Sequence, residues 1–234
     1  MQRIISLLIL LVASTGLANP RTDDENTKTP VEETTTCQQL YQQLGLAGEV
    51  DYTGFEQACI GYEQIRQKAK DMLVLVDFTK ASTEERLYVI DMEARQVLFR
   101  SHVAHGKNSG ENYARYFSNK NGSSKSSLGF YLTAETYTGR AGYSLRINGL
   151  ENGINDNASA RGVVIHGAKY ANPEFAASAG RLGRSQGCPA LPEALSRPII
   201  ETIKGGAVLY IYAADQSYFS QSRFLSPLRS LASV

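Results

Sequence analysis

From residue 72 onward, short apolar runs alternate with polar, glycine-rich intervals. LVLVDF, RLYVIDM and QVLFRSHVAH follow one another closely. The first is a continuous apolar run of the buried-strand type. The turn around Glu93-Ala94, between the other two, predicts a β-hairpin. GFYLTAETYTG and YSLRINGL predict two further strands, RGVVIHG a strand ending at a histidine, and GAVLYIYA a closing strand. Residues 106–127 and 151–162 are loops by composition. PEALSRPIIETIK, starting near Pro192 and containing a proline, is the one helical pattern among these strands. So many short strands with a single helix predict a mainly β domain, a sandwich or a barrel-like sheet.

Ahead of the strands the period changes. Thr36 is placed to cap a helix over CQQLYQQLGL, stopped by Gly45 and Gly48. Phe55, Ala58, Cys59, Tyr62 and Ile65 recur every three or four residues, which marks one face of a second helix. Gly61 in its middle weakens that helix. Residues 37–70 are therefore expected as a short N-terminal helical prelude, 71–225 as the main domain and 226–234 as a C-terminal tail. Residues 19–36 are polar and threonine-rich, too poor in apolar groups to offset the entropy of ordering, and predict a disordered leader.

Residues 1–18, MQRIISLLILLVASTGLA, place Arg3 before an apolar run from Ile4 to Val12, with small residues at Gly16 and Ala18. This predicts a secretory signal peptide cleaved after Ala18. The apolar run is too short for a membrane anchor, which takes roughly 20 residues. No cysteine follows the cleavage position to carry a lipid. The expectation is an exported protein, in the periplasm or the extracellular wall, with no transmembrane anchor.

Charge adds little. Twenty-four basic and 23 acidic residues leave a formal charge of +1, which gives no sign of nucleic-acid binding. The three cysteines, Cys37, Cys59 and Cys188, say more. An odd number in an oxidising compartment leaves a free thiol or an intermolecular bridge. A Cys37–Cys59 bond would staple the two prelude helices and leave Cys188 free. The alternatives are three reduced thiols, or Cys188 in another bridge.

Cys188 stands in GRLGRSQGCPALP, a basic, glycine-rich approach unlike a packing site. His166 lies at the end of an apolar strand, 22 residues earlier. A cysteine nucleophile needs a base to form thiolate and donors to hold a developing oxyanion. His166 can supply the base. The N–H groups of Gly187 and Cys188 can supply the donors, since glycine lets the chain turn its amides outward. Arg181 and Arg184 add positive potential that favours thiolate and suits a carboxylate-bearing substrate. Ser185 is expected to brace the loop by hydrogen bonding beside the substrate. His102 and His105, three apart, would face opposite ways on a strand and make a poor metal pair. His105 is expected either to reach the cleft with Lys107 and Asn108 or to make a loop hydrogen bond. Tyr143, Ser144 and Arg146 are candidates for a donor groove, though alternation turns Tyr143 and Arg146 to opposite faces.

VIHGAKY followed by RLGRSQGCPALP resembles the catalytic domain of the murein L,D-transpeptidases, the YkuD-type fold. That signature is His-Gly, a spacer of about this size, then Ser-x-Gly-Cys, matched here by His166, Gly167, Ser185, Gly187 and Cys188. FEQACIGYEQI, SHVAHGKNSG and GYSLRINGLE extend the resemblance over most of residues 50–224. Gln186 stands where most members have histidine. Pro189-Ala190 replaces the usual aliphatic residue and arginine. The resemblance implies a Cys188 thiolate that attacks the L-centre of diaminopimelate in a peptidoglycan stem peptide, with His166 as base and a backbone carbonyl orienting its ring. It implies no metal or organic cofactor. With the residues read above, the expected substrate-binding set is Gly167, Arg181, Arg184, Ser185, Tyr143 and His105. Rival expectations are an L,D-carboxypeptidase or an amidase/endopeptidase using the same pair, a non-catalytic wall-binding module, and, most remote, a metal-dependent hydrolase.

Overall fold

The structure, a computed structural model, describes residues 36–231. The expected signal peptide, nearly all of the leader and the last three residues of the tail lie outside the described residues. The strands are β1 (Met72–Asp77), β2 (Leu87–Asp91), β3 (Gln96–Ser101), β4 (Gly129–Gly139), β5 (Gly142–Gly149), β6 (Val164–Gly167), β7 (Ala190–Leu191) and β8 (Val208–Tyr212). They form one sheet in the order β3-β2-β1-β8-β4-β5-β6-β7. β1 and β8 pair in parallel, as do β6 and β7, and the remaining pairs are antiparallel.

The two ends of this sheet meet. Beyond β3 the chain forms an antiparallel bridge at Ala104 to Ala190 of β7 and a parallel bridge at Gly106 to Ser185. The sheet therefore closes almost into a barrel, and the seam lies at the segment that carries Cys188. The middle strands show why the sequence selects this arrangement. β8 is buried at all five positions, and β1 from Leu73 to Asp77, so both faces of the sheet are covered there. Continuous apolar runs suit such positions, where alternation would bury polar side chains.

Two helices precede the sheet, α1 (Cys37–Gln43) and α2 (Tyr52–Gln64). Thr36 and Gln39 form a reciprocal capping box on α1, and Asp51 caps α2 through the Gly54 N–H. Cys37 and Cys59 are joined by a disulfide that ties α1 to α2, and Cys188 is free. The prelude shares the sheet's hydrophobic core: Leu40, Phe55, Tyr62 and Ile65 belong to the same buried cluster as Leu75 and Tyr210. The Gly61 that weakens α2 as an isolated helix has a packing reason, because a Cβ there would fall inside the Phe130 ring.

The strand pattern and the helix α4 (Glu193–Ile203) match the sequence expectation, but the structure adds three short helices, α3 (Pro173–Ala179), α5 (Gln216–Gln221) and α6 (Ser226–Leu231). The segment expected as a tail thus begins as α6, which Arg229 holds by donating to the Phe219 and Ser222 carbonyls. Among the described residues, no helix is long and apolar enough to cross a membrane.

Candidate active site

β6 and β7 bring the two principal residues together. His166 lies in register with Ala190, two residues past Cys188, and with Ser144 of β5 on its other side. The half-buried Cys188 thiol rests against the start of β6. Its sulfur accepts the Val164 N–H at 3.5 Å and faces the Gly162 carbonyl at 3.8 Å. No hydrogen bond joins it to His166 among the described residues. Burial raises the thiol's pKa above its ordinary value, while the Val164 N–H, the Arg161 charge and Cys188's own N–H pull the other way. Without substrate the thiol is thus held protonated at neutral pH.

The imidazole is fixed in one useful tautomer. Nδ1 of His166 lies 2.9 Å from the Gly167 carbonyl oxygen, which can only accept. Nδ1 therefore carries the proton, and Nε2 is left with its lone pair as the base. A backbone carbonyl, and no carboxylate, orients the ring. Gly167 has a second duty: a Cβ there would sit 2.5 Å from Ser196 Oγ, so glycine lets α4 approach β6.

Ser185 braces the turn into Cys188. Its Oγ accepts the Gly187 N–H at 3.0 Å and donates to the Cys188 carbonyl at 2.6 Å. This corrects one expectation: of the proposed oxyanion pair the Gly187 N–H is occupied by Ser185 Oγ, and the Cys188 N–H, which leans on its own sulfur, has no backbone acceptor among the described residues. Gly187 is needed for conformation. Its φ is +126°, and a Cβ would lie 2.8 Å from the Lys125 carbonyl oxygen. Over this turn lies the 106–127 loop. Ser126 Oγ donates to the Gly187 carbonyl at 3.2 Å, and Ser124 Oγ donates to Gln186 Oε1 at 2.7 Å.

Three further expectations are corrected, and of the two alternatives for His105 the structure shows the loop hydrogen bond. Arg181 and Arg184 both pair with Glu111, at 2.9 and 2.6 Å, and Arg184 also donates to the Lys107 and Gly110 carbonyls. They hold the 106–116 loop, since a nearby carboxylate captures them before the thiol can. His105 is fully buried; its Nδ1 accepts from Arg86 Nη2 at 2.8 Å, and its Nε2 faces the Gly110 carbonyl. Burial and the Arg86 charge push its pKa down to about 4, so it is a neutral internal group rather than a cleft residue. Tyr143 turns away from the face shared by Ser144 and His166: its hydroxyl donates to Glu201 of α4, and Arg197 lies over its ring at 4.2 Å.

The cation whose charge acts on the thiol is Arg161, which lies beside Gly187 and which the sequence reading passed over. It sits in a polar glycine-containing loop with no periodic signal. Only its place five residues before the histidine strand-end could have marked it. Among the described residues, no group of three His, Cys, Asp or Glu side chains is arranged to hold a metal ion. The arrangement is that of a thiol nucleophile beside an oriented imidazole and a half-buried guanidinium, chemistry suited to acyl transfer.

A family model for the L,D-transpeptidase catalytic domain matches residues 46–212. No curated protein matches the chain. Among solved structures, an L,D-transpeptidase from Mycobacterium smegmatis is similar at 15% identity and a TM-score of 0.40, over 62% of this chain and 59% of that one. The helical cell shape determining protein Pgp2 from Campylobacter jejuni is similar at 15% identity and a TM-score of 0.43, over 69% and 55%. An L,D-transpeptidase from Stackebrandtia nassauensis is similar at 14% identity and 0.39, over 77% of each chain. The chain thus spans about three-fifths of the length of the first of these.

Proposed function

The chain belongs to the L,D-transpeptidase catalytic domain family, and from that premise we propose that it is an exported cysteine acyltransferase acting on the stem peptides of peptidoglycan. Nε2 of His166 takes the thiol proton as substrate displaces water from the site. The Cys188 sulfur then attacks the carbonyl at the L-centre of diaminopimelate in a tetrapeptide stem. A C–S bond forms, the C–N bond to the terminal D-alanine breaks, and the imidazolium returns its proton to the leaving amine. The Cys188 N–H faces the oxyanion that develops on the way. An amine from a second stem attacks the thioester and gives a 3→3 cross-link. Export follows from the composition of residues 1–18, and the site of action is the periplasm or the cell wall.

The observation that carries this reading is the pairing of a free thiol at Cys188 with an imidazole at His166 whose Nδ1 proton is committed to Gly167. A thiol kept for packing has no use for that tautomer, and neither does a wall-binding module. The test is product analysis after incubation with a disaccharide-tetrapeptide. A cross-linked dimer, absent with Cys188→Ala, is expected. A tripeptide without dimer would replace transfer by hydrolysis at the same thiol. Full turnover by Cys188→Ala would overturn the mechanism.

A further inference from the structure

Arg161 is built into the site more firmly than a surface arginine. Nη1 donates to the Ser118 carbonyl at 2.8 Å and to Ser127 Oγ at 2.6 Å; Nη2 donates to the Lys125 carbonyl at 2.6 Å and to Ser123 Oγ at 3.3 Å. All four contacts fall on one loop, 118–127, and all four acceptors are neutral. No carboxylate pairs with Arg161 among the described residues. Its charge is therefore spread over carbonyl and hydroxyl dipoles but not cancelled. The same Nη2 lies 3.2 Å from where a Cβ of Gly187 would stand, against the residue that precedes the nucleophile.

From this geometry we propose that Arg161 is a positioning residue: its fork seats it on the 118–127 loop beside the Gly187 turn, and its uncancelled charge favours the thiolate of Cys188. The inference rests on Cys188 being the nucleophile. Burial lowers the pKa of the guanidinium and raises that of the thiol, and the attraction between their charges opposes both shifts. The other titratable groups around the sulfur do not duplicate the effect. His166 on β6 takes up and returns the thiol proton and is not a fixed charge. Tyr170, on the turn after β6, is pushed up to about 12 by burial and the Cys188 charge, and stays neutral. Lys125 offers its carbonyl to Arg161 while its ammonium lies 5.6 Å from the Tyr116 ring centre. Asp156 of the 151–162 loop is occupied by Asn119 and the Gly153 N–H. Because the burial of Cys188 works against ionisation, a single fixed positive charge has unusual leverage there.

The test needs no substrate, so it is independent of the acyl-transfer reading. The rate of iodoacetamide alkylation at Cys188, the one thiol outside the disulfide, is followed against pH by intact mass for the wild type, R161M and R161K. Each variant is checked for folding by circular dichroism. Loss of a nearby opposite charge moves a pKa by about one unit. R161M is expected to raise the alkylation midpoint by about that much and to slow the reaction about tenfold at pH 8. R161K, which keeps the charge but not the fork, is expected to stay within about threefold of wild type. Equal or faster alkylation in R161M, or the same slowing in R161K as in R161M, would overturn the proposal. If R161M does not fold, R161K decides: a tenfold slowing there contradicts a charge effect.

Discussion

Replacing Gly187 by alanine tests the geometry of the nucleophile turn directly. At φ +126° an L side chain is strained, at a cost of about 1–3 kcal/mol. The new Cβ would also lie 2.8 Å from the Lys125 carbonyl oxygen, which is pinned by Arg161 Nη2 at 2.6 Å and cannot retreat freely. Forcing that contact apart adds about 1–3 kcal/mol. The sum is about 2–6 kcal/mol. A domain of this size loses about 2–4 °C of Tm per kcal/mol, so the melting point should fall by about 4–24 °C. Gly122 is the control. It lies on the loop that carries Lys125, with φ +70°, and a Cβ there meets nothing within 4 Å. Gly122→Ala should cost only about 1–2 kcal/mol. Thermal denaturation followed by circular dichroism gives both values, and turnover reports whether the thiol has moved. A Gly187→Ala protein that melts within about 2 °C of wild type and keeps full activity would refute the account of this turn.

Three other predictions follow from the structure. Gly61→Ala should destabilise by about 1–3 kcal/mol even though alanine favours helix by about 1 kcal/mol, because the methyl enters the Phe130 ring; a gain in Tm would show that α2 does not pack this closely. Replacing Cys37 and Cys59 together by serine opens a link across 22 positions and should cost about 3 kcal/mol in denaturant unfolding, so an unchanged midpoint would argue that the bond adds nothing. The raised thiol pKa fixes a sign for pH: thiolate is scarce below that pKa and grows as pH rises toward it. Alkylation of substrate-free Cys188 should therefore climb about tenfold per unit through pH 9, and a plateau below pH 8 would contradict the burial argument.

The sheet was largely legible because its strands are short apolar runs bounded by glycine and polar loops, a local pattern. Thr36 was legible for the same reason, since a cap and its glutamine partner lie three residues apart. The helix α3 carried its own marks, with Pro173 at its start and Gly180 in the left-handed conformation at its end, but at seven residues it has almost no periodicity to read. The site divides along the same line. His166 and Cys188 stand out by sequence context. The fate of the cations depends on contacts between distant segments. Arg184 meets Glu111 and Arg161 meets Ser118, separations of 73 and 43 residues that no local pattern encodes. The two alternatives for His105 stayed open for a related reason, because its buried partner Arg86 stands 19 residues earlier, just before β2. Polar residues can be internal wherever topology supplies a partner.

The central claim is that Cys188 becomes covalently acylated. The most direct measurement is acid-quenched intact mass of the protein mixed with a disaccharide-tetrapeptide, with free D-alanine measured in the same sample. The account predicts one acyl adduct mapped to Cys188, one D-alanine released per adduct in the first turnover, and neither in Cys188→Ala. Release of D-alanine with no adduct, undiminished in Cys188→Ala, would contradict it.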